Sequence, residues 1–379
     1  MPPIQRNNSS NVSTQVREDL QRRIREGEFV PDAKLTSERQ LALDYGVSRL
    51  SVRQAITELV QQGLLYRIPT KGTFVRKLNA SERLPQYTQP CIGVVLGGPL
   101  KESFFAGLIA PLAKAFAQRG YGMLLRCCDE DPYLEHEYVR ELVEHHACAL
   151  MVVAGSCSLS NLELYRDISR QLPVAVVNTF LEGATADYVG SDEVKGACEA
   201  VTHLIELGHR RILHLAGPRE NSTGRLRLRG YREALQASGI ALDDRLVRQC
   251  GWNRESGYHQ MKKFLLTNDR IATAVFCCSD NVAVGALDAL TERGLKMPED
   301  VSVVGYGDLD ITRQLHVPLT TVDQHPATMA TEAVSLLVER VEGRRALADV
   351  RQVSVPTELI IRASCGINMK PDRLARRSA

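Results

Sequence analysis

Apolar residues recur at helical spacing through the first 62 positions of the chain. Val16, Leu20 and Ile24 fall four apart and predict a helix over 12–26, stopped by Gly27 and Pro31. Thr36 or Ser37 can cap a second helix that ends at Gly46, and Ser48 a third that runs to about Gln62 and stops at Gly63. In the third segment Val47, Val52, Ala55, Ile56, Leu59 and Val60 share one face, the face such a helix buries. Two short strand-like runs follow, 64–67 and 73–76, joined by Ile-Pro-Thr-Lys-Gly. Helix, helix, turn, helix, hairpin is the order of a winged helix-turn-helix, expected over residues 1–77.

Residues 78–90 carry two prolines and no sustained apolar period, as a linker does. From Cys91 the pattern changes. Near-continuous apolar runs (CIGVVLG, YGMLLRC, ALMVVAG, PVAVVN, RILHLAG, RLVRQC, TAVFCC, VSVVGY) alternate with helix-like segments. That alternation predicts an α/β body of parallel sheets covered by helices on both faces. Residues 91–366 are too many for one small sheet and predict two lobes, the first from 91–190 and 326–350, the second from 191–325 and 351–366. A basic tail, 367–379, closes the chain.

Charge changes this picture modestly. Residues 1–80 hold 13 Lys and Arg against 8 Asp and Glu, while the remainder is slightly acidic, so the head is suited to an anionic partner. The ten cysteines form no C-x-x-C pair. Two adjacent pairs, Cys127–Cys128 and Cys277–Cys278, end apolar runs and read as small apolar residues of a reduced, cytoplasmic protein. The first residues, MPPIQRNNSSNVS, lack the apolar core of a signal peptide, and no apolar stretch is long enough to span a membrane, so no membrane partner is expected. No strand leads into G-x-G-x-x-G, and no P-loop or nucleophile elbow is present. His136–Glu137 and His145–His146 lack H-E-x-x-H spacing and read as solvated helix faces. Neither a catalytic residue, a metal nor a cofactor is expected.

Arg49 and Arg53 lie roughly 40° apart on the helical wheel, away from the apolar face of the third helix. A helix N-terminus presented to DNA places such side chains within reach of guanine O6 and N7, and its free N–H groups near a phosphate. The whole segment, LTSERQLALDYGVSRLSVRQAITELVQQGLLYRIPTKGTFV, resembles the DNA-binding head of the GntR family of bacterial regulators, over about residues 12–76. The resemblance implies that Arg39, Arg49 and Arg53 contact DNA and that the wing near Lys71 and Gly72 approaches the minor groove. Leu50 and Ser51 are further candidates for base contact. Ser48 is read both as a helix cap and as a phosphate contact. Thr70 departs from the family, whose wing carries a glycine at that position.

The body carries four phrases, DYVGSDEVKGACEAVTHLIELGHRRILHLAGP, RLRLRGYREAL, AVFCCSDNVAVGALDALTERGLKMPEDVSVVGYGDLD and PLTTVDQ. Together they resemble, over about 91–365, the sensor domain of the LacI family, which shares its fold with periplasmic sugar-binding proteins. A GntR-type head on a LacI-type body resembles the arabinose-responsive repressors of bacilli. The fold expected is therefore α/β, a two-lobed periplasmic-binding-protein-like sensor preceded by a small winged helix-turn-helix domain. A sugar site needs planar multidentate groups for vicinal hydroxyls and an aromatic for the C–H face of the ring. The resemblance implies that Arg227 reaches into the cleft as the ligand clamp, and Trp252 is placed to stack on a sugar. Phe104 and Phe105 offer a cleft floor with Ser103 as a donor beside them. Ser279 stands where relatives have asparagine, and Asp280 either caps the following helix or binds ligand. Asp308 follows Gly307 where relatives commonly have two acids. Asn178 and Gln324 complete the candidates, and Asp192 is assigned a structural role. The function expected is a homodimeric repressor that binds double-stranded operator DNA and is released by a small polar effector, a sugar or sugar derivative. A nucleobase or nucleoside effector is the alternative within that class, and a sugar-binding transport protein the alternative outside it.

Overall fold

The computed structural model describes residues 12–25, 28–29, 32–61, 64–68, 71–75, 89–100, 103–144, 147–155, 157–267 and 272–366. The expected basic tail, the linker up to residue 88, Thr70, and His145–His146 lie outside the described residues. The chain divides into two compact units, Met1–Thr88 and Gln89–Ala379.

In the first unit, α1 (Val12–Arg25), α2 (Glu38–Tyr45) and α3 (Arg49–Gln61) precede a hairpin of β1 (Leu65–Ile68) and β2 (Gly72–Val75). Ser37 starts α2 by accepting the Gln40 N–H at 3.2 Å, and Gly46 ends it in the left-handed conformation, φ 66°, which costs a residue without Cβ little. Ser48 starts α3 by accepting the Ser51 N–H at 3.1 Å. Val16, Leu20 and Ile24 meet Leu41, Tyr45, Val52, Ile56 and Leu59 in one core, closed below by Leu65 and Val75 of the hairpin. Each such side chain contributes about 1.5–3 kcal/mol on burial, so this small unit is held mainly by packing rather than by helix propensity. The hairpin pairs Leu65 with Val75 and Ile68 with Gly72, one residue from where the apolar runs place it.

The second unit contains two α/β lobes. The first carries β3 (Cys91–Leu96), α4 (Ser103–Gln118), β4 (Gly122–Cys127), α5 (Pro132–Glu144), β5 (Ala147–Ala154), α6 (Leu162–Ser169), β6 (Val174–Asn178) and β7 (Asp187–Ser191). The chain then crosses to α7 (Glu193–Glu206), β8 (Ile212–Ala216), α8 (Ser222–Ala237), β9 (Val247–Gln249), α9 (Arg254–Thr267), β10 (Ala274–Cys277), α10 (Asp280–Glu292), β11 (Ser302–Val304), α11 (Ile311–Gln314) and β12 (Thr321–Asp323). It returns through α12 (Pro326–Val341) and β13 (Gln352–Val355), and crosses once more to β14 (Glu358–Ile360), which pairs antiparallel with β12.

The first sheet has the order β13-β7-β6-β5-β3-β4 and the second β11-β10-β8-β9, with every described pair parallel. Apolar side chains on both faces of β3, β5 and β10 explain their unbroken runs. One boundary differs from expectation. Residues 351–366 do not all belong to the second lobe, because Gln352–Val355 adds the outermost strand of the first sheet beside β7. A four-residue strand with only Val355 buried leaves almost no apolar signal in the sequence. Among the described residues no helix is long and apolar enough to cross a membrane.

Candidate DNA-contacting face and effector cleft

In the head, the apolar stripe of α3 faces the core, and Arg49, Leu50 and Arg53 face outward with Arg39 of α2. Leu50 is 74% exposed on the same outward face. The Arg53 Nε–H donates to Glu38 Oε2 at 3.1 Å, and Arg67 lies 3.5 Å from the other oxygen, so one carboxylate orients two arginines. The Ser48 hydroxyl accepts the Ser51 N–H and lies 2.9 Å from the Ser51 hydroxyl, which is the capping arrangement. Lys71 and Gly72 are exposed at the hairpin turn, and Gly72 adopts φ 124°. A Cβ at Gly72 would stand 2.8 Å from Lys34 Cε. That exposed lysine adds a charge to the wing tip that the sequence did not single out, because it lies outside the hairpin.

In the sensor, a cavity of about 640 Å³, counting its open mouth, lies where the C-terminal ends of the two parallel sheets meet. Phe104, Asn178, Arg227, Trp252, Ser279 and Gln324 all line it. Phe105, which packs edge-on against Phe104 at 5.6 Å, lines it as well. The side chain of Ser103 lies outside the described residues.

Arg227 comes from α8. The Asn221 side chain caps that helix by accepting the Thr223 N–H at 2.8 Å, and an Asn-Ser-Thr start before the arginines was the available signal. Helical spacing also separates the three arginines. Arg225 reaches Glu182 and Arg229 reaches Glu233 on the surface, while Arg227 points inward and is 3% exposed. Its Nε–H donates to Glu193 Oε2 at 2.6 Å, its Nη2 to Glu193 Oε1 at 3.1 Å, and its Nη1 to the Cys278 carbonyl. Its guanidinium lies 3.7 Å from the Tyr306 ring centre and 5.6 Å from that of Trp252. Burial opposes its charge, but the attraction of Glu193 prevails and raises its pKa above the ordinary value. Three of its five N–H donors have protein partners among the described residues.

Glu193 is the residue whose importance the sequence concealed. Besides Arg227 it accepts the Ser191 hydroxyl at 2.8 Å and the Gln324 amide at 3.1 Å, and Gln324 also donates to Ser191 at 3.0 Å. Asp192 beside it caps α7 by accepting the Lys195 N–H. Ser279 caps α10 through the Val282 N–H, and its own hydroxyl donates to the Trp252 carbonyl at 3.0 Å. Gly217 lets the Trp252 ring lie against the backbone, where a Cβ would come within 2.7 Å.

Two candidates stand away from the cavity. Asp280 is fully buried and accepts the Leu309 N–H at 2.8 Å and the Thr321 hydroxyl at 2.6 Å, so it fixes the turn that carries Tyr306 and Gly307. Burial lifts its carboxyl to about 6 in spite of those bonds. Asp308 adopts φ 46° and turns to Arg313 and Arg362, while its neighbours Gly307 and Leu309 face the cavity. Neither acid lines the cavity. Residues the sequence did not single out take their place: Glu130, Asn221, Thr223, Asn281 and Tyr306. They come from loops and helix starts, where periodicity carries no signal.

Opposite the inner network, the loop after β6 meets the start of α8. The Asn221 amide donates to Thr179 Oγ1 at 3.1 Å and the Phe180 N–H to Ser222 Oγ at 2.9 Å. Among the described residues no cluster of His, Cys, Asp and Glu could hold a metal.

Comparison with known proteins agrees with both units. Residues 12–75 match the bacterial regulatory proteins of the gntR family, and residues 201–365 match the periplasmic binding protein-like domain. The chain is 30% identical over 262 residues to the HTH-type transcriptional repressor PurR of Haemophilus influenzae, covering 69% of this chain and 77% of that protein. It is 27% identical over 335 residues to the arabinose metabolism transcriptional repressor of Halalkalibacterium halodurans, covering 87% and 89% of the two chains. Among solved structures, the transcriptional regulator CelR in complex with cellobiose superposes with a TM-score of 0.64 at 25% identity, covering 87% of this chain and all of that one. The chain belongs to the ligand-responsive bacterial transcriptional regulators that join a gntR-family DNA-binding head to a LacI-type, periplasmic-binding-protein-like sensor.

Proposed function

We propose that this regulator is a homodimeric repressor, released from its operator when a sugar or sugar derivative occupies the cleft between the two sheets. The observation that carries this is the pairing of an oriented guanidinium, Arg227 on Glu193, with the flat apolar surfaces of Trp252 and Phe104 in one cavity. Vicinal hydroxyls suit the former and the C–H face of a sugar ring the latter. The cellobiose-bound and arabinose-metabolism relatives support the same ligand class. A two-fold dimer would present two copies of α3 to a near-palindromic operator, with Arg39, Arg49, Arg53, Leu50 and Ser51 at the bases and Ser48, Lys71 and Gly72 at the backbone or minor groove. A chain that binds operator DNA works in the cytoplasm, and the gntR-type head argues against a transport role.

The test is operator binding titrated with pentoses, hexoses, their phosphates and nucleosides. Release by a sugar supports the proposal, and tighter operator binding on sugar addition would make the ligand a corepressor. A nucleoside or nucleobase is the second reading, favoured by the aromatic rings of Phe104, Phe105, Trp252 and Tyr306, on which a base could stack. Release by nucleosides alone would establish it.

A further inference from the structure

Among the described residues the cavity is lined by two charged side chains, Arg227 and Glu130. Arg227 is answered by Glu193 at 2.6 Å, but Glu130 has neither a hydrogen bond nor an ion pair from its side chain among the described residues. Its position is built with care. Glu130 follows β4, its N–H donates to the Gly97 carbonyl at 2.8 Å, and Asp131 next to it starts α5 by accepting the Tyr133 N–H at 2.8 Å. Between these anchors Asp129 and Glu130 adopt φ 49° and 65°, the left-handed region that residues with a Cβ seldom enter. Two such residues in succession persist only where the surroundings hold them, and they bring the carboxylate to the mouth of the cleft.

The rest of the lining is neutral. Thr223 Oγ1 is buried without a partner among the described residues, and Asn281 lines the same space. The helix starts that open onto the cavity are already capped, α8 by Asn221 and α10 by Ser279. Arg227 therefore offers donors but no uncompensated charge, and the described lining carries the net charge of Glu130. A carboxylate accepts two hydroxyl donors at once and repels a second anion.

We propose that Glu130 sets effector specificity, accepting hydroxyls of an uncharged sugar and turning away phosphorylated or acidic derivatives. This rests on the sugar reading above and narrows it. The cavity walls also desolvate the Glu130 carboxyl enough to raise its pKa, although the side chain keeps a path to water. A carboxyl that pays this cost without a partner is one that a ligand's hydroxyls would relieve.

Calorimetric titration of the full-length chain tests it, with neutral pentoses and hexoses each run beside its phosphate ester. The neutral sugar should bind at least about tenfold more tightly than its ester, and Glu130→Gln should weaken the neutral sugar by about tenfold while narrowing that gap. Circular dichroism checks that the variant folds, as an exposed position should allow. Tighter binding of the ester, or unchanged sugar affinity in Glu130→Gln, overturns the role of Glu130 and leaves the sugar reading standing. Binding of nucleosides alone overturns the sugar reading and this assignment with it.

Discussion

Arg227 and Glu193 form a two-point ion pair, at 2.6 and 3.1 Å, with neither side chain more than 4% exposed. Removing one partner of such a pair leaves a buried charge without compensation, which typically costs about 3–5 kcal/mol, whereas removing both costs less. Glu193→Gln should therefore lower stability in urea by about that amount, and Glu193→Gln with Arg227→Met should recover part of it. Equal losses in the single and double variants would mean that the pair contributes packing rather than charge. Arg227→Ala should also abolish effector response while leaving operator affinity intact; a retained response would remove Arg227 from the ligand site.

Arg53→Ala should weaken specific operator binding by about 1–3 kcal/mol if the guanidinium reads a base. Gel-shift titration against random DNA separates the two possibilities, since equal losses on both would leave Arg53 only a phosphate contact. Glu38→Gln is the companion variant. With Glu38 no longer holding Arg53 and Arg67, random-sequence affinity should rise and discrimination fall, because a carboxylate at 3.1 Å both orients the arginine and opposes the phosphates.

Gly217→Ala should displace the Trp252 ring, since the new Cβ would lie 2.7 Å from it. Trp252 is the only tryptophan, so its emission reports the site without a label. The variant's free-state spectrum should shift and effector affinity should fall by about tenfold, a loss of roughly 1.4 kcal/mol. An unchanged spectrum with unchanged affinity would mean that the ring is not held against this backbone.

His214 gives a pH dependence with a defined sign. It is fully buried between Tyr231 and Phe276, its Nδ1 lies 3.0 Å from the Phe276 carbonyl, and burial lowers its pKa to about 4. A folded-state pKa below the unfolded value means that protonation favours unfolding. Stability from this group is complete above about pH 6.5 and falls as the pH drops toward 4, by roughly 3 kcal/mol in all. His214→Gln should lose less stability than wild type between pH 7 and 4, measured as urea midpoints. Asp280, raised to about 6, acts in the opposite direction, so Asp280→Asn should increase the acid loss. Parallel wild-type and His214→Gln curves would refute the assignment.

The head was legible almost residue by residue, because caps and four-residue spacing are local signals: Ser37, Gly46 and Ser48 act where the sequence places them. The long strands were legible because full burial writes an unbroken apolar run. What escaped was set by distant contacts. Glu193 follows an obvious cap residue and looks like ordinary first-turn acid, and only the approach of Arg227, 34 positions later, gives it a partner. Asp280 and Asp308 carry the right chemistry for a ligand, but neighbouring turns claim both. Glu130 reaches the cavity through two unusual backbone angles that no propensity announces.

The three crossings between the lobes run next to one another. Asp192 N–H donates to the Val355 carbonyl at 2.9 Å, and Gln324 is bonded to Ser191 and Glu193. Two bodies joined by one link can swivel in any direction, whereas three adjacent links stiffen against twist and leave one easy rotation. Ser191, Glu193 and Gln324 bond two of those links to each other. Through Glu193, anything that pressed on Arg227 would act where the links meet rather than at the far ends of the lobes.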